Sequence, residues 1–156
     1  MQPADRKERD WYERERLHHA AGEGDLEKVR RLLEEGCPIN AFEDGLSRTP
    51  LHCAAIGNHP DVVRYLIKAG ADVNAREEEK IGNTVLREIA ENCSLEMARI
   101  LVEAGADPTI PGWMQLTALD KSAKRKKPEG QKVHKLLCEA AKRCNPHWSR
   151  LRSFVE

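Results

Sequence analysis

Residues 17–40 and 51–74 are one pattern written twice, LHHAAGEGDLEKVRRLLEEGCPIN and LHCAAIGNHPDVVRYLIKAGADVN, at a constant offset of 34. Leu17, His18, Ala20 and Ala21 recur as Leu51, His52, Ala54 and Ala55. Val29, Leu32, Gly36 and Asn40 recur as Val63, Leu66, Gly70 and Asn74. A fixed period constrains the fold more than any single motif could. Each copy is one supersecondary unit, and no unit can bury its apolar faces without similar units beside it.

The unit is clearest from Thr49 to Ala75. Thr49 can cap a helix with its hydroxyl, and Pro50 suits the first helical position, where a missing N–H costs nothing. Leu51, Ala54 and Ala55 form one apolar face, with alanines small enough for a neighbour to approach closely. Asn58, His59 and Pro60 break that helix, and Val62, Val63, Leu66 and Ile67 repeat at the spacing of a second. Gly70 is expected to close it in a left-handed conformation.

A third copy, residues 84–110, matches at an offset of 35 through Thr84, Leu86, Ala90, Leu101 and Gly105. Here Val85 replaces the proline, Arg87 the histidine and Ile89 the first alanine. A fourth copy starts at Thr117, Leu119 and Ala123, at an offset of 33, and Val133, Leu136, Leu137 and Ala140 supply its second stripe. This spacing predicts that the loop between its two helices is about two residues longer than elsewhere. The chain therefore divides into a charged N-terminal capping helix (1–16), four units (17–48, 49–83, 84–116 and 117–141) and a cap or tail (142–156). In that tail Trp148, Leu151, Phe154 and Val155 are available to pack. Polar connections, Ala41 to Arg48, Arg76 to Asn83 and Pro111 to Leu116, are each long enough for a short projecting hairpin.

A 34-residue period built from Thr49-Pro50-Leu51-His52, Ala54-Ala55 and Gly70-Ala71-Asp72-Val73-Asn74 resembles the ankyrin repeat, and the likeness runs from about Leu17 to Ala141. It implies an all-α repeat solenoid of stacked helix-turn-helix units with short β-hairpin loops. It also implies a non-enzymatic protein-binding module that contacts its partner through hairpin fingertips and the concave inner-helix face. At the family's structural histidine position, His18 and His52 would bond backbone near the hairpins.

Composition narrows the function classes. The 156 residues fit one domain, and 26 Lys+Arg balance 26 Asp+Glu, so global charge points to no polyanionic partner. Five cysteines, an odd number without framework spacing, argue against a disulfide scaffold. The polar start MQPADRKERDWYERER does not read as a signal peptide, and no apolar run is long enough to span a bilayer. The expectation is a monomeric, cytoplasmic protein in a reducing environment. No nucleophile elbow, zinc-protease helix or phosphate loop occurs, so no catalytic residue and no cofactor is assigned. Cys144 and His147, with His134 and Cys138, fall short of a zinc signature, and no metal site is assigned.

The distinguishing positions lie where the units differ. Aligned on the capping threonines, Leu46, Ile81 and Met114 recur three places before each, joined by Trp113 and Leu116. Trp and Met are enriched at interfaces. These residues, with Arg48 and Asn83 at the tips and Ile56 and Glu91 on the palm side, are the candidate partner-binding set. An alternative is electrostatic docking of nucleic acid or an anionic surface by segment 121–135. There Lys121, Lys124, Arg125, Lys126 and Lys127 cluster, with Lys124 also on the palm side, but without the interleaved aromatics that base stacking needs.

Overall fold

The computed structural model describes residues 15–80 and 82–148. The charged segment 1–14, the tip residue Ile81 and the tail residues Leu151, Phe154 and Val155 lie outside the described residues. Helices follow one another in pairs. They are α1 over 15–23 and α2 over Leu26–Glu34; α3 over Pro50–Ile56 and α4 over Pro60–Lys68; α5 over Val85–Ile89 and α6 over Leu95–Glu103; and α7 over Ala118–Ala123 and α8 over Pro128–Cys144. Inner helices α3, α5 and α7 pack in series, and outer helices α2, α4, α6 and α8 do the same. The result is an all-helical repeat solenoid.

Caps explain where the helices begin. Thr84 accepts from the Arg87 amide (3.3 Å), Ser94 from Met97 (3.1 Å) and Asp25 from Lys28 (3.0 Å). Thr117 and Asp120 cap each other reciprocally. Gly36, Gly70 and Gly105 close the outer helices α2, α4 and α6 at φ of 92°, 102° and 94°, a region open to glycine without a Cβ penalty.

The repeat alanines and leucines form one continuous core. Ala20, Ala54, Leu66, Ala90, Leu101, Leu119 and Leu137 are each wholly buried. Beyond the core, an Asn–Asp ladder ties the ends of the outer helices together. Asn40 Oδ1 accepts the Asp72 amide (2.9 Å), and one unit later Asn74 Oδ1 accepts the Asp107 amide (2.8 Å).

Three expectations are corrected. The outer helix of the fourth unit does not start later than those of the second and third units. The outer helix begins eleven residues after the capping threonine in all three units that have one, at Pro60, Leu95 and Pro128. What shifts is the apolar stripe. Gly130 stands where Val62 and Met97 stand, because the side chain of Arg125 fills that space; a Cβ on Gly130 would lie 2.5 Å from Arg125 Cβ. The outer helix α8 also runs 17 residues to Cys144 rather than stopping near 141, and Trp148 beyond it packs on the core. At the fingertips no strand is assigned among the described residues. The tips instead close with a few backbone bonds, among them Glu43 N–H to Arg48 O (2.9 Å), Gly82 N–H to Glu77 O (2.8 Å) and Gly112 N–H to Leu116 O (3.0 Å), with single 3-10 turns at Glu78–Lys80 and Trp113–Gln115.

Neighbouring units are joined by a bond in strict register. His18 Nε2 donates to Arg48 O (3.0 Å) and His52 Nε2 to Asn83 O (2.8 Å), in each case the carbonyl just before the next capping threonine. His52 Nδ1 accepts the Thr49 amide (3.1 Å), which places the ring proton on Nε2 and keeps the ring neutral. Burial is the main cause that lowers the His52 pKa from the ordinary 6.5, outweighing the Asn83 carbonyl and Glu88, which raise it. The unfolded chain therefore takes up this proton at a higher pH than the folded one. The stabilising contribution is complete above about pH 6.5 and is lost as pH falls from there toward the lower folded-state value. His52→Gln keeps a donor for Asn83 O but cannot titrate. Its urea midpoint is expected to fall less than that of the wild type between about pH 7 and pH 5; parallel declines would contradict the assignment.

Candidate functional site: the fingertip network

In the third unit Arg87 stands where the histidine belongs, and its longer fork reaches further. Its Nε donates to Leu116 O (2.7 Å), the same carbonyl position that His18 and His52 use. Its Nη2 donates to Trp113 O (2.8 Å) and its Nη1 to Asn83 Oδ1. The residue is 5% exposed, so this is a buried guanidinium with a planar donor set matched to fixed acceptors. Asn83 Oδ1 also accepts the Trp113 amide (3.4 Å), while its Nδ2 donates to Glu88 Oε2 (3.0 Å). Glu88 Oε1 in turn receives Arg48 Nη2. Those two bonds hold the Glu88 pKa below the usual carboxylate value, although burial alone would raise it.

One network thus runs Arg48–Glu88–Asn83–Arg87 and ends on the third tip. One further link holds the tips together: Arg76 Nη1 donates to Pro111 O (2.6 Å). Gly112 is required by the close packing: a Cβ there would strike Asn83 Oδ1 and lie 2.6 Å from Arg87 Cδ.

Above this buried base the third tip is exposed and unusual in its backbone. Trp113 is 60% and Met114 67% exposed. Met114 and Gln115 both lie in the left-handed region, at φ of 59° and 58°. Two consecutive non-glycine residues there cost roughly 1–2 kcal/mol each, so the conformation persists only because the bonds beneath it hold it. The other large apolar side chains exposed among the described residues are Leu46 (65%) and Ile56 (45%).

The structure sorts the remaining candidates. Leu46, Trp113 and Met114 share the fingertip ridge, but Ile56 lies at the far end of α3, beside a cleft of about 430 Å³ that Asn92, Cys93 and Arg125 also line. Leu116 is half-buried. Arg48 and Asn83 do not stand free to orient a partner, because both are engaged inside the network. Glu91 is paired with Lys121 (3.0 Å) across α5 and α7. Arg125 is half-buried and donates to Cys93 O (2.9 Å), so it is turned away from the other cations of the basic cluster. Lys124, Lys126 and Lys127 remain exposed.

Sequence reasoning noted Arg87 only as a departure from the histidine and gave Gly112 no role. The signal available was their coincidence: a donor with longer reach appears in the unit just before the only Gly-Trp-Met tip.

Packing holds the buried thiols and His134. Burial pushes the Cys53 thiol up to about 11 and raises Cys93 as well. His134 lies between Ser122 Oγ (2.8 Å) and Cys138 Sγ (3.5 Å). Among the described residues no three His, Cys, Asp or Glu side chains gather as a metal site.

Replacing Arg87 by leucine leaves Leu116 O with only the Gly112 N–H and takes the guanidinium away from Trp113 O and Asn83 Oδ1, at a cost of about 3 kcal/mol in total. Arg87→His retains the Leu116 bond and should lose only about 1 kcal/mol, with faster amide exchange confined to residues 113–115. Equal losses for the two variants in urea unfolding would show that the guanidinium does not hold the tip.

With this geometry in place, comparison with known proteins gives a consistent result. The family model for ankyrin repeats (3 copies) matches residues 17–112. The chain is 42% identical over 60 residues to Ankyrin repeat domain-containing protein 40 of Homo sapiens, covering 38% of this chain and 16% of that protein. It is 33% identical over 100 residues to the Transient receptor potential cation channel subfamily A member 1 homolog of Caenorhabditis elegans, covering 64% and 8%. To Protein ACCELERATED CELL DEATH 6 of Arabidopsis thaliana it is 39% identical over 110 residues, covering 62% and 16%. In each case the chain spans less than a fifth of the relative's length. The matched residues carry the capping threonines Thr49 and Thr84, the register of His18 and His52 and the helix-closing Gly36, Gly70 and Gly105, and the chain belongs to the ankyrin repeat family.

Proposed function

We propose that this chain is a monomeric, non-enzymatic protein-binding module whose contact surface is the fingertip ridge centred on Trp113 and Met114. Ankyrin repeats are in general protein–protein interaction modules. The observation that carries the finer reading is the third tip: two large apolar side chains, each at least 60% exposed, on a loop clamped from below by a buried charge. A side chain held in place before binding loses little further freedom on contact, which favours affinity. Tryptophan is also the residue most often found to dominate interface energetics. Leu46 extends the apolar contact along the ridge, while Arg48 and Asn83 set its shape from beneath. Five free thiols support action in a reducing compartment such as the cytoplasm.

Trp113→Ala combined with Met114→Ala should leave the helical circular dichroism unchanged, because neither side chain belongs to the core. Capture of the native partner from lysate should weaken by about 2 kcal/mol or more, roughly 30-fold. Equal recovery of the partner by mutant and wild type would remove this site.

A further inference from the structure

Resting on the fingertip ridge as the contact surface, we propose that its partner is a positively charged polypeptide segment rich in lysine and arginine and carrying apolar side chains. The argument begins with which charges at the tips are already paired. The three cations of the tip loops are engaged within the molecule. Arg48 bonds Glu88, Arg76 bonds Pro111 O (2.6 Å) and Glu78 (3.6 Å), and Lys80 bonds Glu77 (3.2 Å). Glu43, Asp44 and Glu79 have no ion pair among the described residues, and Asp44 and Glu79 are exposed. The ridge therefore presents unpaired carboxylates around exposed Leu46, Trp113 and Met114, with no unpaired cation among its described residues.

The rest of the molecule reinforces this polarity. The exposed Lys124, Lys126 and Lys127 lie at the opposite end of α7 from the tip. Unpaired acid at the fingertips thus stands apart from the exposed base at the α7–α8 turn. A basic segment is attracted to one end and repelled from the other, which gives the encounter a direction. Lysine and arginine suit the apolar part of the ridge too. Their stems lie well on Met114 and Leu46, and a cation over the Trp113 ring gains a further attraction.

The test is anisotropy titration of the full chain with two fluorescein-labelled peptides. One mixes arginine, lysine and leucine, and the other has glutamate at every basic position. The basic peptide should bind, more weakly at high salt, and the acidic one should not. Asp44→Lys with Glu79→Lys should weaken binding about tenfold, and Trp113→Ala with Met114→Ala should weaken it at least as much. Binding of the acidic peptide that depends on Trp113 would overturn the charge inference while leaving the fingertip surface standing. Binding of the basic peptide that ignores both Trp113 and the reversed charges would overturn both. Sedimentation of the free chain as a dimer with Trp113 protected would assign the ridge to a second copy and overturn the proposal.

Discussion

The stack depends on one bond repeated between neighbouring units. A side chain near the start of each inner helix reaches the carbonyl just before the next capping threonine: His18 to Arg48, His52 to Asn83 and Arg87 to Leu116. Each such bond contributes roughly 1 kcal/mol and is directional, so it fixes both spacing and rotation between units where apolar contacts alone would tolerate slippage. It also explains why threonine and histidine travel together in the second unit. The Thr49 amide holds His52 Nδ1 and thereby aims the Nε2 proton at the next unit.

At the third position the bond is kept but its donor is changed, and the difference shapes the third tip. Imidazole offers one donor to the next unit. Guanidinium offers several in a plane, and Arg87 uses them to hold Leu116, Trp113 and Asn83 at once. Gly112 leaves the room this requires. A loop that would otherwise relax out of the left-handed region at Met114 and Gln115 is thereby held with Trp113 facing solvent. The same interaction that joins units thus prepares the proposed contact surface.

The repeat, the helix pairs, the capping threonines and the closing glycines were legible in the chain because each rests on spacing within one unit. Leu46, Ile56, Trp113 and Met114 stand outside the apolar stripes, but spacing left open whether they face solvent or pack on a neighbouring unit. What spacing does not carry is which side chains meet across units. Lys121 and Arg125 read as members of a basic run, yet one pairs with Glu91 and the other turns inward to Cys93 O. Asn83 and Arg48 read as free tip residues, yet they belong to the network under the tip. The extra length expected in the fourth unit was a displaced apolar stripe, because Arg125 fills the place left open by Gly130.

The central claim is that Asn83 and Arg87 act as one unit in holding the third tip. A double-mutant cycle in urea unfolding tests it most directly, with Asn83→Ala, Arg87→Leu and the combination. Because both residues converge on Asn83 Oδ1 and the Trp113 backbone, the account predicts a coupling energy of about 1 kcal/mol or more. Losses that add to within about 0.5 kcal/mol would show independent contacts and contradict it.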